Sequence, residues 1–325
     1  MSSTQPHRTG GSAMDHSGRV SALRRSPVVA WAAVGAAFLA AGAVVMGRWT
    51  AAGGFRISFG DRASLSTGRE IVVWSVQTVI ALTFAAILGY VIGQCRREKH
   101  ITFDAALLAA YTTTIWTDPL LGYHSPRAVL YDAALVHTPS WGPYLPGWQG
   151  GSHQITPFAG SWLGYVLGAG WLIATALLMR PVLRRRPALS GWRLGVAVAA
   201  ASTAAGLVLE MGCVQGGIYA YPGTFPLLTV FPGQWYQLSL PQVALTAFCW
   251  GGIPFLLRHR HLKHGADTPL LRGLTLLPTG ARSTAQALAV IGAVGTTILV
   301  WHAGIRLCTL ASATAPINIS PYPFV

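Results

Sequence analysis

Seven apolar runs, each roughly twenty residues long and bounded by Arg, Pro, Gly or Ser, divide the chain at near-regular intervals. They cover Pro27 to Met46, Glu70 to Gly93, Ile101 to Leu121, Phe158 to Met179, Leu194 to Cys213, Gln237 to Leu257 and Ala285 to Thr309. A run of that length, wound as a helix, matches the ~30 Å hydrocarbon thickness of a bilayer. A helix also satisfies its own backbone groups where no water can. The pattern therefore predicts an all-α fold, a polytopic transmembrane helix bundle of about seven spans. The third and sixth runs are the least uniform, and Pro241 and Pro254 interrupt the sixth.

Polar residues between the runs set the expected domain plan. Residues 1–26, rich in Ser, Gly, His and Arg, read as a disordered basic tail. Residues 27–312 form the membrane domain and 313–325 a short C-terminal tail. The first run follows a long tail and lacks a small-residue cleavage site, so it reads as a retained anchor and not a signal sequence. With the N-terminus inside, 17 of the 23 basic residues fall in the tail and the inner connections. The positive-inside rule thus predicts an inside N-terminus, an outside C-terminus and a multi-pass plasma-membrane protein. The two long outer connections are then 122–157 and 214–236, the second without a single charged residue.

Composition sharpens this picture. Hydrophobic residues make up 52% and charged ones 10%, against the ~25% charge of a soluble domain. Membrane lipids are the implied surroundings. A net charge of +14 would suit a nucleic-acid binder, but 21 of the 23 basic residues are Arg, and short clusters of them, such as Arg184 to Arg186, lie between apolar runs. No basic helix with a polar remainder is present, so no nucleic-acid partner is expected. Cys95, Cys213, Cys249 and Cys308 show no paired spacing; a Cys213–Cys308 disulfide fits, but separate packing in helices is favoured.

Two acids stand out because they interrupt apolar runs. Asp118 ends the third run just before Pro119, and Glu210 lies in the last turn of the fifth. Both helices are expected to end on the same side. Ionisable groups at such positions are costly and face the bundle interior, and two carboxyls in differing environments can act as a general acid and a general base. The bland alternative is that each pairs with an Arg or caps a loop. His124 and Asp132, in the 122–157 connection, are supporting catalytic candidates. Asp104, near the opposite end of the third run, is expected to stabilise a helix N-terminus, as is Glu70. His124, His137, His153 and His302 share no metal-binding spacing, so no metal and no cofactor are predicted. The only lysines, Lys99 and Lys263, lie between runs, which excludes a retinal Schiff base in the last span.

Aromatic residues crowd the same side. An interfacial belt accounts for part of them; the rest would line a pocket for a hydrophobic small-molecule substrate. The substrate-binding candidates are Trp116, Tyr131, Trp141, Trp148, Tyr219, Tyr221 and Tyr236.

Two ordered fragments carry a family resemblance. The first is Trp116-Thr117-Asp118-Pro119-Leu120, then Tyr131, Ser140-Trp141 and Pro146-Gly147-Trp148. The second is Glu210, Gly217-Ile218-Tyr219-Ala220-Tyr221-Pro222-Gly223, Phe231-Pro232-Gly233, Tyr236-Gln237 and Pro241. Together they resemble the AveC-like spirocyclase family of actinobacterial membrane proteins. The resemblance implies an enzyme of secondary metabolism that closes a polyketide-like dihydroxy-ketone into a spiroketal, with an effect on dehydration. The chain differs from that pattern at Asp132, where an Asn follows the Tyr, and at Thr156, where a Glu precedes the Pro. A non-catalytic lipid or polyketide binding or transport protein, or a partner in a biosynthetic complex, are the alternative readings.

Overall fold

The computed structural model describes residues 21, 23, 25–60, 65–121, 129–150, 155–310 and 313–314. Most of the expected N-terminal tail, nearly all of the C-terminal tail, and His124 and His153 lie outside the described residues. The α-helices are α1 (Pro27–Ala51), α2 (Thr67–Glu98), α3 (Phe103–Thr113), α4 (Leu163–Arg185), α5 (Gly191–Gln215), α6 (Leu240–Ala247), α7 (Ile253–His264) and α8 (Thr279–Leu310). Six helical stretches among the described residues are long and apolar enough to cross a membrane, α6 and α7 counting as one. The fold is the expected all-α bundle.

The third expected span differs in form. It is α-helical for 11 residues and continues as a 3-10 helix over Ile115–Leu121. Thr112, Thr113 and Thr114 turn their hydroxyls back onto carbonyls of the preceding turn, which competes with regular helix, and Pro119 lacks an N–H. The longer rise of 3-10 helix gives the two pieces a combined reach of roughly 30 Å. The segment packs at the centre of the bundle, with Ala106, Ala110 and Tyr111 fully buried.

α1 packs against α8 by close backbone approach. A Cβ on Gly35 would stand 2.0 Å from the Leu288 carbonyl oxygen, and one on Gly292 would stand 2.3 Å from that of Trp31. Small residues of this kind let membrane helices touch where no hydrophobic force drives them together. A π-helical turn at Phe248–Gly252 separates α6 from α7. Pro254 cannot donate to the Trp250 carbonyl four residues back, and Tyr111 Oη donates to that carbonyl instead, at 2.5 Å.

Strand structure is confined to four two-stranded antiparallel ladders among the described residues, all in connections and termini at one end of the bundle. β1 (Leu130–Tyr131) pairs with β4 (Tyr219–Ala220), so the connections 122–157 and 214–236 are stitched to each other. β2 (His137–Pro139) pairs with β3 (Ile155–Pro157), β5 (Gly223–Thr224) with β8 (Ala313–Thr314), and β6 (Thr229–Val230) with β7 (Leu238–Ser239). The four cysteines are free thiols.

Candidate functional site

Asp118 and Glu210 line a common cavity of about 80 Å³ at the loop end of the bundle. Each arrives by a different route. Asp118 sits in the 3-10 turn that ends the α3 segment, 4% exposed. Glu210 lies in the penultimate turn of α5 and is 1% exposed. The β1–β4 ladder closes the cavity by setting Tyr131 opposite Tyr219, with ring centroids 6.4 Å apart and planes at 89°. Such edge-to-face pairs across a ladder stabilise its register.

The tyrosines then reach the acids. Tyr131 Oη donates to Asp118 Oδ1 at 3.2 Å. Tyr219 Oη and Tyr221 Oη both donate to Glu210 Oε2 at 2.7 Å. Burial, foremost, pushes all three phenols well above their ordinary range, and the nearby carboxyls push in the same direction. They therefore remain hydroxyl donors. Gly160, in a π-helical turn at Phe158–Trp162, makes room for Tyr131: a Cβ there would stand 2.7 Å from the ring. Gln237 holds the second loop, donating from Nε2 to the Tyr221 carbonyl at 3.0 Å and accepting from the Gly233 N–H at 3.2 Å. Among the described residues no Arg or Lys lines the cavity.

Asp132 is one residue from Tyr131 but has other duties. It is fully buried, forms an ion pair with Arg69 of α2, and accepts the Ala134 N–H at 2.9 Å. Burial raises its carboxyl above the usual range, and the Ala134 N–H and Arg69 pull it back. Arg69 also reaches the Gly216 and Gly217 carbonyls at 3.3 and 3.4 Å. This cluster anchors both loops to the start of α2, and Asp132 lies outside the cavity lining.

The proposed aromatic ligands divide. Tyr131, Tyr219 and Tyr221 face the cavity, while Trp116, Trp141, Trp148 and Tyr236 are not in its walls. Trp116 packs on Phe38 of α1, and its carbonyl accepts the Trp141 indole N–H at 3.0 Å. Trp141 is fully buried against Trp49 and Trp162. Trp148 lies over Gly142 and Gly150, and Tyr236 packs tilted on Phe231 and edge-to-face with Trp235. His137 is tied by main-chain bonds to Ser58.

The remaining walls include Tyr165, Thr246, Trp250 and Trp301, which the sequence does not single out. They sit inside apolar runs, where an aromatic residue reads as ordinary packing. Behind them runs a buried chain. His302 Nε2 lies 3.0 Å from Thr117 Oγ1 and 3.3 Å from Tyr165 Oη. The Thr117 hydroxyl also reaches the Thr114 carbonyl, at 2.7 Å. Among the described residues no three His, Cys, Asp or Glu side chains are grouped to hold a metal.

A sequence model of the family described as Spirocyclase AveC-like matches residues 96–321, which include both carboxyls, both loops and the tyrosines between them. No curated protein and no solved structure matches the chain.

Proposed function

The chain belongs to the AveC-like spirocyclase family, and we propose that its loop-end cavity assists spiroketal formation or dehydration on a polyketide-like hydroxy-ketone. The observation that carries this reading is the pairing of Asp118 and Glu210 in one cavity with phenol partners and, among the described residues, no lining cation. An Arg partner would fix a carboxylate in its charged form. A phenol partner orients the carboxyl and leaves a proton free to move on or off it.

Closing a dihydroxy-ketone into a spiroketal forms two carbon–oxygen bonds and releases one water. The ketone oxygen is protonated as the first hydroxyl adds, giving a hemiketal. That oxygen then leaves as water, and the second hydroxyl adds with loss of its proton. In this proposal one of Asp118 and Glu210 supplies the proton to the departing oxygen, and the other accepts the proton of the attacking hydroxyl. Tyr131, Tyr219 and Tyr221 orient the reacting oxygens, and a single held geometry selects the ring formed. A volume of about 80 Å³ takes the reacting centre alone, since whole small molecules need about 300 Å³ or more. The rest of the chain extends from the mouth. Asp132 contributes by holding Tyr131 through its pair with Arg69. His124 is a supporting residue on sequence grounds.

The positive-inside rule supports a plasma-membrane protein with the cavity on the outer face, reached laterally by a membrane-dissolved substrate. The test is turnover of a dihydroxy-ketone by protein in liposomes, followed by mass spectrometry. Asp118→Asn and Glu210→Gln variants that fold normally are expected to lose conversion; unchanged turnover in either overturns the assignment.

A further inference from the structure

A second, larger space lies at the other end of the bundle. It is a groove of about 750 Å³ between α2, α3, α4 and α7, within the size range of small-molecule sites. Its floor is apolar and buried: Leu107, Leu172 and Phe255 are each under 9% exposed. Its rim carries Tyr90, Ile173, Leu177 and Leu262, all among the exposed large hydrophobic residues. The groove thus opens sideways, through an apolar margin, toward the surface that faces lipid. The floor offers one polar group, the Tyr111 hydroxyl, and the Trp250 carbonyl already takes it. A hydrocarbon chain loses nothing there. A chain bearing hydroxyls or ketones would leave them without partners, at a cost.

One end of the groove is charged. Arg180 and Arg184, four residues apart, lie on a single face of α4 and both line the groove. Arg258 faces them from α7 but is already held by Asp104, Nε to Oδ1 at 2.6 Å and Nη2 to Oδ2 at 2.8 Å. Among the described residues Asp104 is the only acid in the lining, where three guanidiniums stand against one carboxylate. Neither Arg180 nor Arg184 has an ion-pair partner among the described residues. Two neighbouring guanidiniums at the end of an apolar slot match a phosphate on a hydrocarbon chain.

We infer that this groove is a binding site for an anionic phospholipid, with an acyl chain along α4 and its phosphate on Arg180 and Arg184. The inference does not depend on the cyclase reading. Because α3 forms one wall here and carries Asp118 beyond its other end, a lipid in the groove would buttress the segment that positions that acid.

The test uses full-length protein in vesicles of phosphatidylglycerol and phosphatidylcholine, extracted gently and weighed by native mass spectrometry. The wild type is expected to retain phosphatidylglycerol selectively. Arg180→Gln/Arg184→Gln should cut that retention by about tenfold or more. Ala176→Trp, which fills the groove and keeps every charge, should cut it comparably. Arg185→Gln/Arg186→Gln removes the same charge from the same cluster outside the groove lining and should leave retention unchanged. Equal loss in the two arginine pairs would reduce the effect to a general basic belt and overturn the inference. So would equal retention of phosphatidylcholine, or displacement of the lipid by a hydroxy-ketone substrate. Should Ala176→Trp fail to fold, the contrast between the two surface arginine pairs decides alone.

Discussion

The segment from Phe103 to Leu121 carries an acid near each end, and the two are provided for differently. Near its start, Asp104 lies in the first turn of α3 and is clasped by both arms of Arg258, at 2.6 and 2.8 Å. Near its finish, Asp118 meets the Tyr131 hydroxyl at 3.2 Å, and Glu210, across the same cavity, meets the Tyr219 and Tyr221 hydroxyls. A bidentate guanidinium pins a carboxylate in charge and place. Phenols pin its place alone. The basic end therefore holds its acid as a strut, and the loop end holds two that have no guanidinium partner among the described residues. Asp132 supplies the contrast within the loop end itself: beside Tyr131, but paired with Arg69, it is built like the strut.

The comparison can be broken in four places. Substituting Asp118→Asn or Glu210→Gln should lower turnover by roughly 10²–10⁴-fold. The double variant should be little worse than either, because both act in one proton transfer sequence. If either variant keeps wild-type turnover in liposomes, the loop-end acids are no different in kind from Asp104. Asp132→Asn should cost about 3–5 kcal/mol of stability by leaving Arg69 buried without its partner. Thermal unfolding in detergent reads this out, and an unchanged midpoint would remove the anchor role. Tyr219→Phe and Tyr221→Phe each delete one hydrogen bond to Glu210 and should slow turnover by about ten- to a hundredfold, without loss of fold. Asp104→Asn should be mildest. The pair is partly exposed, at 31% and 15%, so the stability change is expected within about 1 kcal/mol, with turnover kept.

Much of this architecture is legible from the chain because a bilayer imposes length and apolarity on whatever crosses it. The apolar runs located the helices, and one end that fell short is where polar helix formers continue past the hydrocarbon, Gln94 to Glu98 at the end of α2. The break in the third span rests on three consecutive threonines and Pro119, whose joint effect depends on which carbonyls they find. Asp118 and Glu210 were visible because each is an isolated acid in an apolar run. The partner of Asp132 was not, since Arg69 is 63 residues away and is brought near by ladders of two residues, too short for any alternation to announce. Trp116, Trp141 and Trp148 read as ligand-binding for a related reason. An indole that fills a core and an indole that lines a pocket look the same in sequence, and here these three pack the core and its covering loops. Tyr165 was overlooked on the same ground in the opposite direction.

The claim that Asp118 and Glu210 exchange protons with the substrate is tested most directly by the pH dependence of kcat/KM for a dihydroxy-ketone in liposomes. The account predicts two ionisations in the wild type, one of them absent in Asp118→Asn and the other in Glu210→Gln. A folded Asp132→Asn variant should retain both. Two ionisations persisting in both amide variants would contradict it.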